Sequence, residues 1–460
     1  MFNWASANGI RAGSGAASPV LADGRIYLSY YVPSPVLPEP RQQRFSQGHR
    51  PFAAAQQFLI ENARERDGVT LTSDKIPFHA LEKIWEAVDD IVLCLDAATG
   101  QTLWKAVMPA RGYNLQHHKE GPFNMSPAVA DGRVFAIGMG GHLDAFDAVD
   151  GRHLWTRRIG GERTHLSASV VAVPGAVIAP QGGVWRGYDP ATGEERWASQ
   201  VRTSNASVAI WEHAGGHYLL SGTGSNLVWA GQDEHLVCLD VIDGRELWRA
   251  PLPLSGEQMM AALLSTGRGS GPGGITVHGD VAVAYLAETT AARRGDQQGR
   301  GERREVLRRH AVAWRLGLTG PELLWRVDDV ASNGRHVPVV MHGRYAVLGI
   351  AGTGIQVHDL LSGTLVAEVQ GPAPGNGGYL QGIEDLLLVR VDGTHGHPDF
   401  HFYRIDAAGA ITLLTSDSSW RPPLGGGTSS YHHPLHYPLG DGRLFLRMHD
   451  GIYAIDVRRP

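Results

Sequence analysis

The sequence has few cysteines, no long apolar run and no excess of basic charge. No stretch of 18 apolar residues exists among its 460 residues, so we expect no membrane-spanning helix. The N-terminus lacks the basic and apolar regions of a signal peptide. The formal net charge is −5 and no basic stripe is visible, which argues against nucleic acid as a main partner. Two cysteines without a Cys-x-x-Cys-His motif argue against a covalently bound c-type haem.

One short pattern recurs along the first half of the chain. An aspartate is followed four residues later by a glycine and four residues after that by a tryptophan, inside apolar sequence. The four copies are Asp96, Gly100 and Trp104; Asp147, Gly151 and Trp155; Asp189, Gly193 and Trp197; and Asp240, Gly244 and Trp248. Glycine suits the positive φ of a tight turn, aspartate bonds the turn backbone, and tryptophan buries a large apolar area. The pattern predicts a strand, a turn and a returning strand.

The aspartates of these copies lie 51, 42 and 51 residues apart, the length of a four-stranded propeller blade with variable loops. These residues resemble the tryptophan-docking repeat of the quinoprotein-type, or PQQ-like, β-propellers. That family includes pyrroloquinoline quinone (PQQ) dehydrogenases and non-catalytic outer-membrane assembly propellers. The resemblance implies an all-β fold, with the tryptophans of the repeat acting as packing residues.

Degenerate copies of the pattern, each lacking one or more of its residues, continue to the C-terminus. Together with the four full copies they predict eight blades. Blade five keeps Gly320 and Trp325, and blade six has Ala367 where the tryptophan would fall. Blade eight stops at Pro460, before an outer strand could form. An incomplete last blade leaves an open sheet edge. We therefore expect residues 1–7 to supply its outer strand, with Trp4 in the docking position, so that residues 1–460 form one propeller domain with its ring closed by the N-terminal strand.

Two insertions fall between second and third strands of blades. In the first, about residues 49–90, Pro51–Arg66 and Ser73–Val88 have the apolar periodicity of amphipathic helices. The second, about residues 287–309, is rich in charge and glycine and predicts a flexible solvated loop. In a four-stranded blade these loops emerge on the same side as the connections between blades. We call that side the loop face, and we expect function there.

The two cysteines, Cys94 and Cys238, stand at the same repeat position in the first and fourth blades, two residues before Asp96 and Asp240. Equivalent positions in separate blades lie beyond the reach of a disulfide. The sequence therefore predicts two buried free thiols.

The candidate functional residues lie in the connections between blades, just before innermost strands. Histidine is a common metal ligand and titrates near neutral pH, so these side chains could bind a ligand, hold a divalent metal or act in catalysis. Most could equally bond loop carbonyls. The candidates are Tyr113, His117, His118, His165, Arg335, His336, Tyr431, His432 and His433, with His395 and His397 in a loop of blade seven. Outside the repeat, Trp185, Trp229 and Trp420 are candidate stacking platforms.

Three functions are compatible with these residues, and the sequence does not decide whether the protein is an enzyme. The first is a scaffold that binds a protein partner or a carbohydrate-like ligand through the His-rich loop face. The second is a non-redox enzyme, a polysaccharide lyase or hydrolase, that uses a histidine or tyrosine base with a nearby arginine. The third is a PQQ-dependent dehydrogenase. The chain has no adjacent cysteine pair and no assignable calcium ligands, which argues against PQQ, so no cofactor is predicted.

The resemblance also implies an extracytoplasmic location, periplasmic or secreted. Since the chain shows no signal peptide, we expect either a removed leader or a longer parent protein. We further expect a monomer.

Overall fold

The structure is a computed structural model that describes part of the chain. The described residues are 2–6, 17–34, 85–115, 125–160, 168–202, 208–222, 235–253, 275–292, 304–328, 330, 339–350, 354–371, 379–383, 386–392, 398–414, 437–447 and 451–457. Within these ranges every regular element is a β-strand.

The strands are numbered in chain order. The N-terminal strand and those of the first four blades are β1 (Phe2–Ser6), β2 (Val20–Ala22), β3 (Arg25–Pro33), β4 (Trp85–Asp96), β5 (Thr102–Leu115), β6 (Ala128–Ala130), β7 (Arg133–Ile137), β8 (His142–Asp147), β9 (His153–Arg158), β10 (Val171–Val173), β11 (Ala176–Gln181), β12 (Val184–Tyr188), β13 (Glu195–Arg202), β14 (Ala209–His213), β15 (Gly216–Gly222), β16 (His235–Asp240) and β17 (Glu246–Pro251). Those of the last four are β18 (Ile275–His278), β19 (Val281–Ala292), β20 (Arg304–Arg315), β21 (Glu322–Val327), β22 (Val340–His342), β23 (Tyr345–Ile350), β24 (Gly354–Asp359), β25 (Leu365–Gln370), β26 (Tyr379–Ile383), β27 (Leu386–Asp392), β28 (Pro398–Ile405), β29 (Ile411–Leu413), β30 (Leu439–Gly440), β31 (Arg443–Arg447) and β32 (Ile452–Asp456).

These strands form eight four-stranded antiparallel sheets, which confirms the predicted eight-bladed β-propeller. Seven sheets take four consecutive strands, from β2-β3-β4-β5 to β26-β27-β28-β29. The eighth has the order β30-β31-β32-β1, with Phe2 opposite Ile455 and Ser6 opposite Ile452. The backbone of Trp4 lies opposite Ala454. The docking role of the Trp4 side chain and the closure of the ring by β1 stay predictions.

The chain divides into two compact units. The first comprises Met1–Gly182, Pro190–Gly193 and Tyr431–Pro460, and it contains blades eight, one and two with strands β10 and β11. The second comprises Gly183–Asp189 and Glu194–Ser430, and it contains strands β12 and β13 with blades four to seven.

Local sequence explains why the first two strands of a blade form a tight hairpin. In blade two the turn residues Asp131 and Gly132 have φ values of 51° and 67°. Two consecutive positive φ values define the type I′ turn, whose twist matches that of the strands, and Asp-Gly is a preferred pair for it. Asp23 with Gly24 repeats this geometry in blade one.

Apolar side chains from adjacent blades form the cores between the sheets. Between blades one and two, the buried residues include Tyr27, Val92, Cys94, Trp104, Val134 and Phe146. Both cysteines are free and buried, as predicted. Burial raises the pKa of the Cys94 thiol to about 11 and that of Cys238 to about 12, so neither is a reactive thiolate near neutral pH.

The helix predicted over Ser73–Val88 is wrong at its C-terminal end. Strand β4 begins at Trp85, and Val88 pairs with Pro33 on one side and with Gly112 on the other. Trp85, Glu86 and Ala87 pair with β5 alone. Ladder pairing with neighbouring strands satisfies backbone polar groups here, and that outweighs the helical apolar pattern. The first predicted helix, Pro51–Arg66, lies outside the described residues.

The loop predicted over residues 287–309 is also wrong at both ends. Strands β19 and β20 form one long hairpin, paired from Val281 opposite Arg315 to Ala292 opposite Arg304. Alternation of the strand places successive side chains on opposite faces, so a charged composition is compatible with an extended hairpin. Only residues 293–303 of the predicted loop lie outside the described part.

Candidate functional site

The predicted site residues fall almost wholly outside the described residues. At Tyr113 the backbone belongs to β5 and pairs with Ala87, and nothing more is described. His117, His118, His165, Arg335, His336, Tyr431, His432 and His433, with His395 and His397, lie beyond the described ranges. Their convergence on one site therefore stays a prediction.

Two features are absent from the described residues. No group of three or more His, Cys, Asp or Glu side chains in the described ranges could hold a metal ion. Across the same ranges, no helix is long and apolar enough to cross a membrane.

The recurring Asp-Gly-Trp pattern joins one blade to the next. The Trp104 indole Nε1–H donates to the carbonyl of Ala148 in blade two at 3.1 Å. Its ring lies against Gly151, where an added Cβ would come within 2.5 Å of ring carbons. Gly151 also has a φ of +74°. The repeat glycine is therefore required both by the turn and by the tryptophan of the preceding blade.

The aspartates of the first, second and fourth copies bond the backbone of their own turns. In blade one the Asp96 Oδ1 accepts the backbone N–H of Ala98 and Thr99 and the hydroxyl of Thr99. These bonds lower the pKa of Asp96, with the Thr99 hydroxyl the largest cause. The carboxylate is ionised at neutral pH and serves the turn, so it is not a candidate acid or base.

Four further tryptophans make the same contact with the following blade. Their indole N–H groups donate to the carbonyls of Pro190, Val241, Gly317 and Leu360, from Trp155, Trp197, Trp248 and Trp325 respectively. Three of the four lie against a repeat glycine of positive φ, namely Gly193, Gly244 and Gly363.

Blade six, which has Ala367 in the tryptophan slot, uses a tyrosine from an inner strand. Tyr345, at the start of β23, donates its hydroxyl to the carbonyl of Ala407 in blade seven at 2.9 Å. An added Cβ on Gly409 would lie 2.9 Å from the Tyr345 ring. The acceptor follows Asp406, as Ala148 follows Asp147. The repeat pattern did not predict this replacement because Tyr345 stands two strands away from the slot.

We expect Tyr345→Phe to lower the free energy of unfolding by about 1 kcal/mol, because the Ala407 carbonyl loses its donor while the ring stays. Tyr27→Phe is the control. Its hydroxyl also donates to a docking carbonyl, that of Ala148 at 3.3 Å, but Trp104 donates to the same oxygen. Chemical denaturation should show a smaller loss for Tyr27→Phe. Equal losses would contradict the docking role of Tyr345.

On the loop face of blade one, strands β4 and β5 extend as a long hairpin. Their ladder reaches Trp85 opposite Leu115. The Ala110 N–H, at a residue with a φ of 51°, donates to the Asp89 carboxylate at 2.8 Å. Further along, the backbone of Gly112 packs on that of Gly140 in blade two, where an added Cβ on Gly112 would lie 2.5 Å from the Gly140 nitrogen. This close backbone contact holds the extension against blade two.

Beneath the extension, the Asp90 carboxylate contacts the β7–β8 turn. The Met139 N–H donates to both carboxylate oxygens, at 3.1 and 3.0 Å. An added Cβ on Gly138 would lie 2.0 Å from Oδ2, so only glycine fits beside the carboxylate. Burial raises the pKa of Asp90 to about 7, against the lowering effect of the Met139 hydrogen bond. Asp90 therefore titrates near neutral pH.

A second buried carboxylate, Asp144 on β8, lines the same cleft as Asp90. It accepts a hydrogen bond from the Thr156 hydroxyl and lies 3.0 Å from Nε2 of His153. The Arg111 guanidinium on β5 lies 3.6 Å away. The cleft has a volume of about 10 Å³, which is room for about one water molecule. No sequence motif marks either carboxylate, because both belong to strand positions outside the repeat.

The second unit has its own polar cluster near the end of β21. His310 is 3% exposed, and its Nδ1 lies 2.7 Å from the carboxylate of Asp328. Arg326 donates to the same carboxylate at 2.6 Å and lowers its pKa. Arg326 also donates to the Pro253 carbonyl. The Arg326–Pro253 contact ties the last strand of blade five to the end of blade four, and His310 contacts the carboxylate that Arg326 also binds.

Of the three candidate stacking tryptophans, Trp185 is no stacking platform. It is fully buried, and its indole N–H donates to the Ser221 hydroxyl at 3.0 Å. Its ring therefore packs between blades and is not exposed to a ligand. Trp229 and Trp420 lie outside the described residues.

Comparisons with known proteins agree with this geometry. The sequence profile of the family described as outer membrane protein assembly factor BamB matches residues 79–216 and 186–386. BamB from Moraxella catarrhalis is similar in structure, with a TM-score of 0.50 and 13% identity over 79% of this chain and 90% of that chain. At this identity the similarity shows the fold alone. No curated protein sequence matches the chain.

Two dehydrogenase structures are also similar, at lower scores. The quinohemoprotein alcohol dehydrogenase from Comamonas testosteroni has a TM-score of 0.38 and 14% identity, over 85% of this chain and 72% of that chain. A europium-containing methanol dehydrogenase has a TM-score of 0.38 and 11% identity, over 88% and 84%. The profile match covers more than half of the chain. The chain therefore belongs to the BamB-like family of PQQ-repeat β-propellers.

Proposed function

We propose that this protein is an extracytoplasmic scaffold that binds a protein partner through its loop face. The observation that carries the proposal is the β4–β5 extension, which is held on blade two by close backbone packing and by the Asp90–Met139 contact. A rigid projection lowers the ordering cost of binding, because its backbone is already fixed before the partner arrives. Tyr113 lies on this projection, and His117 and His118 follow it in the sequence.

The family match supports the same function. Members are described as outer membrane protein assembly factors, a role in which a propeller acts on other proteins. That description also supports an extracytoplasmic location. A protein partner therefore agrees with both the family and the extension. A carbohydrate-like ligand and a monomeric state stay predictions from the sequence.

Site-specific photocrosslinking tests the proposed surface. A photoreactive amino acid replaces Tyr113 on the extension or, as the control, Asp23 in the β2–β3 turn at the opposite ends of the strands. We expect one protein to crosslink from position 113 and not from position 23. With that partner purified, Tyr113→Ser and His118→Ser should weaken its binding at least tenfold, a loss of about 1.4 kcal/mol. Equal crosslinking from both positions would contradict the proposal.

A second measurement separates the scaffold from the dehydrogenase. The purified protein is titrated with PQQ and calcium, and reduction of an artificial electron acceptor is followed with alcohols as substrates. A scaffold predicts neither saturable binding of the quinone nor substrate-dependent reduction. Saturable binding with turnover would replace the proposal by a PQQ-dependent dehydrogenase.

A further inference from the structure

The contact between Asp90 and blade two buries an ionisable carboxylate beside a second one, which a purely structural contact does not need. We call Asp90, Gly138, Met139 and Asp144 the Asp90 joint. One backbone N–H, that of Met139, bonds both oxygens of the Asp90 carboxylate. Asp90 is 3% exposed and Asp144 is 1% exposed, and both line one cleft. Two carboxylates in a shared low-dielectric space disfavour double ionisation.

The charged groups that face Asp90 come from three strands. Asp89 on β4 and Asp144 on β8 raise the pKa of Asp90, and Arg111 on β5 lowers it. Asp144 in turn faces His153 of β9. His142 of β8, whose pKa is lowered first by burial, faces Arg111 and Asp144. On β3, Ser29 and Tyr30 line the cleft, and the Ser29 hydroxyl donates to the Met125 carbonyl. The single cation among the groups acting on Asp90 does not offset its burial.

We propose that Asp90 is the proton-binding group of a pH-sensitive joint between blades one and two. The joint is closed while the carboxyl is protonated, and it opens as the proton is lost. Opening separates the β7–β8 turn from β4 and hydrates the carboxylate. The β4–β5 extension rests on the same turn through Gly112 and Gly140, so pH controls how firmly the extension is held. The joint titrates whether or not a partner binds the loop face.

The sign and size of the effect follow from linkage. Burial raises the pKa of Asp90 from the ordinary 3.8 to about 7 in the closed joint. Because the closed state binds the proton more tightly, closure is fully favoured below the ordinary pKa and weakens as pH rises through the closed-state value. The opening equilibrium constant should rise about tenfold per pH unit between roughly pH 4.5 and 6.5, and level off above about pH 7. The total rise is about 1000-fold.

Hydrogen exchange at the Met139 amide measures this opening directly. Exchange of the peptide that contains Met139 is followed by mass spectrometry from pH 5 to 8 on the full chain and corrected for the intrinsic pH dependence of exchange. We expect the corrected opening constant to rise about 50-fold from pH 5 to pH 7 and then to flatten. In Asp90→Asn, whose amide can still accept the Met139 N–H but does not titrate, the same constant should stay flat.

Two further variants make the result specific. Asp131→Asn alters an exposed carboxylate that accepts the Gly175 N–H, and it should leave the rise at Met139 unchanged. Asp144→Asn removes one negative neighbour, so the rise should level off at a lower pH even if Asp90→Asn fails to fold. A flat profile in the unmodified protein would overturn the proposal. Equal slopes in the unmodified protein and Asp90→Asn, or no shift in Asp144→Asn, would also overturn it.

Discussion

Replacing Trp104 by alanine should lower the free energy of unfolding by about 4 kcal/mol. The side chain is 8% exposed and packs between blades one and two, so its removal leaves a cavity that the two sheets cannot fill. It also takes the indole donor from the Ala148 carbonyl. A loss of this size is a large fraction of the stability of a typical domain, about 5–15 kcal/mol.

Chemical denaturation followed by circular dichroism measures this loss, and two variants of β5 divide it into parts. Leu103→Ala removes the neighbouring side chain, which is 45% exposed, and should cost less than about 0.5 kcal/mol. Trp104→Phe keeps an aromatic ring and loses the hydrogen bond, so an intermediate cost of about 2 kcal/mol is expected. Should Trp104→Ala cost no more than Leu103→Ala, the docking contact would have no role in stability.

Gly151→Ala is the second change with a large expected effect, about 3 kcal/mol. The new methyl group would lie 2.5 Å from the Trp104 ring, and the residue would have to keep a φ of +74°. Either the indole moves out of its site or the turn changes conformation. Both outcomes weaken the junction between blades one and two, and the denaturation midpoint measures the sum.

Gly132→Ala separates the two causes. Gly132 has a φ of +67°, close to that of Gly151, but an added Cβ there meets no atom within 4 Å. The control should therefore show only the backbone strain, about 1 kcal/mol. In the double variant Trp104→Ala with Gly151→Ala, the cavity receives the methyl group. The combined loss should then be about 2 kcal/mol smaller than the sum. Strict additivity would show that the glycine and the tryptophan do not act together.

The fold could be predicted from short-range pattern because each blade repeats the same local chemistry. An Asp-Gly turn, a strand with alternating burial and a tryptophan eight residues after an aspartate can all be recognised within the sequence of one blade. The same local reading failed at Trp85–Val88 and at residues 287–292 and 304–309. At those positions the conformation is set by pairing with strands outside the window, as in the pairs of Val88 with Pro33 and Gly112.

The candidate site was harder to predict than the fold, because the protonation of a carboxylate depends on its surroundings and not on residue type alone. The sequence indicated histidines, because histidine is a common metal ligand and titrates near neutral pH. The structure describes a buried carboxylate, Asp90, whose pKa is raised to about 7 by burial and by Asp144. An aspartate in an apolar strand looks the same in sequence whether its side chain meets water or a neighbouring sheet. Its protonation depends on what packs against it.

By itself, the sequence determined the repeat, the number of blades and the residues that mark each turn, because these depend on neighbours within one blade. Only the tertiary structure showed that the repeat joins one blade to the next. It placed four of the five described docking tryptophans on the glycine of the next blade, and it assigned Tyr345 to the junction that lacks one. It also brought Asp90 and Asp144 into one cleft. These contacts join residues from different blades, so the identity of each partner is fixed by packing and not by distance along the chain.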